Sequence, residues 1–159
     1  MDEFSTRYMD YDSPPERFFA GEFRHSIDEK NRVTIPSRWR RDKAEEFILL
    51  PEATHQFLLV MSPQEFARMG SAAETNQTVS ARDRRIFLRH LHSRAQHASA
   101  DRQGRLVLPD ELCRKIGLKE EVALVGNRGR FEIWNLQRWK RVNEEETPTF
   151  QHVANVIGL

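Results

Sequence analysis

Arg32 and Arg105 stand in matching settings 73 positions apart, each four residues after an aspartate. The first run is Asp28-Glu29-Lys30-Asn31-Arg32 and the second is Asp101-Arg102-Gln103-Gly104-Arg105. Both lead into an apolar stretch that stops at a proline, Val33-Thr34-Ile35-Pro36 and Leu106-Val107-Leu108-Pro109. Gly104 takes a positive φ without penalty, and Asn31 is the next most tolerant type at the matching place. Each run therefore reads as a tight turn at the tip of a β-hairpin, with the second strand halted by a proline that cannot donate to a ladder. A two-stranded β-ribbon fits the major groove of B-DNA. There an arginine donates to O6 and N7 of guanine, a pairing worth about 1–3 kcal/mol of discrimination. Lys30 and Gln103, at the same place in the two tips, reach base edges or phosphates. The residues alone also allow a second reading, in which Arg32 and Arg105 pair with Asp28 and Asp101 to rigidify the turns. The two readings are compatible, since an acid at the base of a turn can orient the arginine.

Other chemistries find little support. There is no Gly-rich phosphate loop, zinc-protease helix signature or nucleophile elbow. The single cysteine, Cys113, excludes an internal disulfide and a multi-cysteine metal site. The six histidines form no ligand pattern, and His90 and His92 point to different sides of a helix. The sequence thus calls for no cofactor, no metal and no small-molecule substrate, and nothing in it argues for an enzyme.

The near-neutral total charge conceals a segregation. Residues 1–16 carry five acids against one arginine and residues 142–159 hold Glu144, Glu145 and Glu146, which leaves residues 17–141 at a net +8. A basic body between acidic ends suits a polyanionic partner. Arg38, Arg40 and Arg41, and the group Arg82, Arg84, Arg85 and Arg89, read first as solvated or ion-paired helix surface. No apolar run approaches the roughly 20 residues of a membrane span. Met1-Asp2-Glu3 lacks the start of a signal peptide. A cytoplasmic protein is expected.

The elements that carry the tips repeat. Residues 26–41 and 99–114 share Ser26/Ser99, Asp28/Asp101, Arg32/Arg105, Pro36/Pro109 and Arg41/Arg114, with apolar positions in phase. Each copy reads as β-β-α-β-β: a strand near 23–27, the tip, a second strand, a short helix, then strands at 47–50 and 57–61 or at 122–125 and 130–134. Asp110 is expected to cap the second short helix and Gly117 to end it. Ser62-Pro63-Gln64-Glu65 is a capping box that starts a helix, 71–78 reads as a polar loop, and a second helix is expected over 81–93. Asn135 is expected to cap a helix carrying Leu136, Trp139 and Val142. A module of about 40 residues is near the lower limit for folding alone and would expose strand edges. Interleaving the two hairpins within one chain relieves both problems, and apolar area left near Trp39 or Trp139 would favour further subunit contacts.

With these segments in view, 18–40 and 101–135 resemble the MraZ family, whose mark is an Asp-x-Lys-Gly-Arg segment in the first module and a related Asp-x-x-Gly-Arg in the second. The resemblance covers 18 to about 142. It implies an α+β, β-rich fold of two tandem swapped-hairpin (AbrB-like) modules in pseudo-twofold arrangement, with intervening and C-terminal helices. The expected divisions are an acidic extension over 1–17, module 1 over 22–66, a helical connector over 67–94, module 2 over 95–137, and a C-terminal helix and acidic tail over 138–159. It further implies a nucleoid-associated transcriptional regulator, usually a repressor, that binds G-rich direct repeats upstream of the division and cell-wall gene cluster and assembles into a ring of several copies. The DNA-contacting arginine of the family maps onto Arg32, with Arg105 its counterpart, and the adjacent lysine onto Lys30. Asn31 departs from the usual glycine. The alternative is an AbrB-like antitoxin module that binds a protein, against which the complete second module argues.

Overall fold

A computed structural model describes residues 15–41 and 43–159. Most of the expected extension, 1–14, lies outside the described residues. The strands are β1 (Glu22–Ser26), β2 (Arg32–Thr34), β3 (Glu45–Pro51), β4 (Phe57–Met61), β5 (Gln96–Ala100), β6 (Arg105–Val107), β7 (Glu121–Asn127) and β8 (Arg130–Asn135). The helices are α1 (Pro63–Thr75), α2 (Ala81–Arg94), α3 (Asp110–Ile116) and α4 (Leu136–Ile157), with a 3₁₀ turn at Ser37–Trp39.

All eight strands join one antiparallel sheet in the order β1-β7-β8-β4-β3-β5-β6-β2. This order shows how the copies interleave. β1 pairs with β7 of the other module, β5 with β3, and β2 with β6. The expected interleaving of the two hairpins is seen here strand by strand. In the first copy the strands on either side of the tip separate at once to partners in the other module. In the second copy only the Ala100–Leu106 bridge joins them. Within β2–β6, Val33 faces Leu106, and within β4–β8, Leu59 faces Glu132. In both pairs a residue meets its own counterpart 73 positions away, the mark of a local twofold axis through the molecule.

Period-2 alternation explains why the sheet closes around a core. Phe47 and Leu49, Leu58 and Val60, Val122 and Leu124, and Phe131 and Ile133 all point to one side and are fully buried. Each such side chain contributes about 1.5–3 kcal/mol relative to exposure. Trp39 enters the same core, its ring 5.0 Å from that of Phe131 and edge-on to Phe19 and Phe23. It therefore provides no exposed patch for subunit contact. The outer side of the sheet is covered twice. Ile48, Leu50 and Met61 pack on Leu91 of α2 and on Phe66 and Met69 of α1, while Ala123 and Trp134 pack on Leu136, Trp139 and Val142 of α4.

The helix ends follow local chemistry. Ser62 Oγ accepts from Glu65 N at 3.1 Å with Pro63 at the first position, and Asn135 Oδ1 accepts from Arg138 N at 3.0 Å. Gly117 ends α3 in the left-handed region at φ 78°. Asp110 is not the cap of α3: Pro109 holds that place without a side-chain bond, and Asp110 and Glu111 sit in the first turn, where they favour the positive end of the helix. The loop expected over 71–78 is also shorter. α1 runs through Ala72 and Ala73, good helix formers, to Thr75. Asn76 then accepts from the Thr78 N–H at 2.9 Å and turns the chain. α4 continues through Glu144, Glu145, Glu146 and Pro148 to Ile157.

Candidate nucleic-acid interface

Each tip is built around one carboxylate. In the first, Asp28 Oδ1 accepts from the backbone N–H of Lys30 at 2.9 Å and of Arg32 at 2.8 Å, while Oδ2 takes the Arg32 Nε–H at 2.7 Å. Asp28 N donates to Arg32 O, and Asn31 N to Asp28 O, both at 3.0 Å. The second tip repeats every bond. Asp101 Oδ1 accepts from Gln103 N at 3.0 Å and Arg105 N at 2.9 Å, and Oδ2 takes Arg105 Nε–H at 2.8 Å. The N–H donated by Arg32 holds the Asp28 carboxyl below the ordinary carboxylate range, and that of Arg105 does the same for Asp101. The guanidinium and a second backbone N–H add to each effect.

The turn residues act in a way that sequence could only outline. Asn31 at φ 58° and Gly104 at φ 77° are left-handed. In that conformation the Asn31 carbonyl accepts from Leu108 N and the Gly104 carbonyl from Ile35 N, both at 2.8 Å. Each tip is thereby tied to the strand end of the opposite module. Both Asn31 and Gly104 thus serve the tip-to-module joint as well as the turn.

The pairing of arginine with aspartate is therefore real, and it leaves the rest of the guanidinium available. Only Nε is engaged, and among the described residues the terminal nitrogens of Arg32 and Arg105 have no hydrogen-bond partner. A fixed Nε aims the two Nη groups outward as a fork suited to a two-acceptor edge such as guanine O6 and N7, or to a phosphate. The β2–β6 ladder brings both forks onto one surface. Val33 and Leu106 point inward, so Arg32, Thr34, Arg105 and Val107 line the outer face about the local twofold axis. Lys30 and Gln103 are exposed beside them.

Three residues of this surface carry no obvious functional mark in the sequence. Val107 is 53% exposed although it lies in an apolar run, and Thr34 lies beside it; the alternation of each strand was the available signal. Arg40, expected as ordinary helix surface, belongs to no helix, and its Nη1 donates to the Gln103 carbonyl of the second tip. No signal in the sequence announces that bond, which crosses between modules. The second arginine group also takes a local role: Arg84 donates to the Asn76 and Val79 carbonyls and closes the loop before α2. Among the described residues no group of His, Cys, Asp or Glu is placed to hold a metal ion, and no helix is long and apolar enough to cross a membrane.

Comparison with known proteins agrees with the duplication. The sequence pattern of the family described as "MraZ protein, putative antitoxin-like" matches twice, over 18–90 and 91–159. A protein of Desulforamulus reducens called transcriptional regulator MraZ is 33% identical over 142 residues, covering 89% of this chain and 99% of its own length. The protein of the same name from Heliobacterium modesticaldum is 32% identical over 87% of this chain and 96% of its own, and that from Alkaliphilus metalliredigens 33% identical over 86% and 94%. With a family match to both repeats and relatives alike along nearly their whole length, this chain belongs to the MraZ family.

Proposed function

We propose that this chain, as a transcriptional regulator of the MraZ family, binds double-stranded DNA sequence-specifically and reads guanines with Arg32 and Arg105. The observation that carries the reading is the pair of tips with the same hydrogen-bond pattern. Each holds an arginine by Nε and leaves its Nη fork exposed on a shared face. Lys30 and Gln103 contact phosphates or neighbouring base edges. The target is a set of short G-rich direct repeats upstream of the division and cell-wall gene cluster, where binding represses transcription, and the protein is associated with the nucleoid. Several copies assemble into a ring so that successive tips meet repeats about one helical turn apart. The exposed Phe150, Val153 and Ile157 on α4 offer apolar area for such contacts.

The test is a mobility-shift titration of the full chain against the DNA upstream of its own gene, with a random duplex as control, at two salt concentrations. Wild type is expected to prefer the upstream DNA in several shifted species. Arg32→Ala is expected to lose about 1–3 kcal/mol of that preference per engaged tip while keeping the fold. Equal losses on both duplexes would tell against base reading. Absence of binding even at low salt would favour a protein partner instead, as in AbrB-like antitoxins.

A further inference from the structure

We propose that Arg40 is a phosphate-contacting residue of the second tip, supplied across the module boundary by the first module. The inference rests on the reading of the tips as a DNA-binding face. Three observations carry it. The first is position: Arg40 Nη1 donates to the carbonyl of Gln103, so its guanidinium lies on the second tip although its backbone follows the first module's 3₁₀ turn. A guanidinium has five N–H donors in a fixed fork, and among the described residues this bond uses only one nitrogen. The second is charge. Among the described residues no carboxylate lies within ion-pair distance of Arg40, whereas Arg41 pairs with Glu16 and Arg17 with Glu45.

The third is the room kept for it. A Cβ at Gly104 would run into Arg40 Cδ and lie 2.9 Å from its Nε and Nη1, so in its present pose Arg40 occupies space that the glycine leaves free. At the first tip the position equivalent to Arg40 is Cys113. There the corner is an open cleft of about 350 Å³ beside Asn31, Asp110, Cys113 and Arg114. Asn31 keeps its side chain and turns it toward Asp110 at 3.4 Å. The two tips therefore differ in charge. The first balances Lys30 and Arg32 against Asp28 and Glu29, while the second sets Arg102, Arg105 and Arg40 against Asp101 alone. A bare cation held at a tip by a neutral carbonyl is placed to meet the DNA backbone, where it fixes register without reading sequence.

The experiment is a salt titration of the full chain on the upstream duplex and on a random one, with Arg40→Gln, Arg40→Lys, Arg32→Ala, and Arg89→Gln as a charge-matched change on α2. Arg40→Gln is expected to weaken both duplexes by the same factor. It should lower the slope of log K against log salt by about 0.9 for each phosphate that Arg40 neutralises, so its deficit shrinks about threefold over a fourfold rise in salt. Arg40→Lys should keep the slope, and Arg89→Gln should follow the wild type. A wild-type slope in Arg40→Gln, or a loss confined to the upstream duplex, would reduce Arg40 to a prop for the tip and overturn the proposal. Either result would leave the base-reading assignment standing so long as Arg32→Ala had lost its preference. If Arg32→Ala kept the wild-type preference, base reading would fail, while a changed slope in Arg40→Gln would still support the phosphate contact.

Discussion

After its tip the first module makes one 3₁₀ turn over Ser37–Trp39, whereas the second makes the seven-residue helix α3. The sequences explain the difference. α3 places Asp110 and Glu111 in its first turn and Arg114 and Lys115 in its last, the arrangement that suits a helix dipole, and Gly117 closes it. The first module has Ser37 and Arg38 where Asp110 and Glu111 stand, and the chain leaves the turn in extended form at Arg40, with φ −91° and ψ 149°. Trp39 and Leu112, equivalent in the repeat, are both buried, so the core position is kept while the backbone around it changes. Duplication thus preserved what the dyad needs and released what lies beside the tips. Arg40 and Cys113, its equivalent, now give the two tips different surroundings.

Exchanges between equivalent positions sharpen this comparison, beginning in the core. Phe131 stands where the first module has Leu58, and it meets the rings of Phe19, Trp39 and Phe47. Phe131→Ala should cost about 3–5 kcal/mol in denaturant unfolding, and a loss under 1 kcal/mol would show that the aromatic cluster is not central. Next is Glu132, equivalent to Leu59 and buried opposite it. It accepts from Trp134 Nε1 at 2.8 Å and Asn127 Nδ2 at 3.0 Å. Glu132→Leu leaves a buried indole N–H unpaired and should destabilise by about 1–3 kcal/mol, with Glu132→Gln retaining part of the loss.

At the tips the exchange should be lopsided. Gly104→Asn should cost about 0.5–1.5 kcal/mol, because its Cβ displaces the end of the Arg40 side chain and with it the bond to the Gln103 carbonyl, and the cost should shrink in the Arg40→Ala background of a double-mutant cycle. Asn31→Gly should change stability by only a few tenths of a kcal/mol, since glycine accepts φ 58°. Additive effects of Gly104→Asn and Arg40→Ala would deny that they share space.

Smaller effects come from titration. Because Asp28 and Asp101 are held below their ordinary value of 3.8, the stability they lend is present above that value and disappears as pH falls through their lowered folded values. Carbon-detected NMR should find both carboxyls titrating below 3.8 and the amides of Arg32 and Arg105 shifting with them. Normal titration of either would separate the tips. Burial, with Asp110 adding to it, pushes the Cys113 thiol up to about 11, so a thiol reagent at neutral pH should label the native chain far more slowly than the unfolded one.

Much of this molecule is specified locally. The repeat, the two aspartate-to-arginine turns, the strands ended by Pro36 and Pro109, and the helix starts at Ser62 and Asn135 are all set by neighbouring residues, because turns, caps and alternation are short-range. The tip residues Asp28, Asn31, Arg32 and their counterparts could be picked out for the same reason. What tertiary structure decided is which strand each one meets. β1 against β7, β2 against β6, and the carbonyls of Asn31 and Gly104 bonded to the opposite module are choices between partners far apart in sequence. The alternation of a strand names its buried face but not its neighbour. Arg40 shows the same limit most sharply, since local residues set its charge and only the interleaving of the modules set it on the second tip.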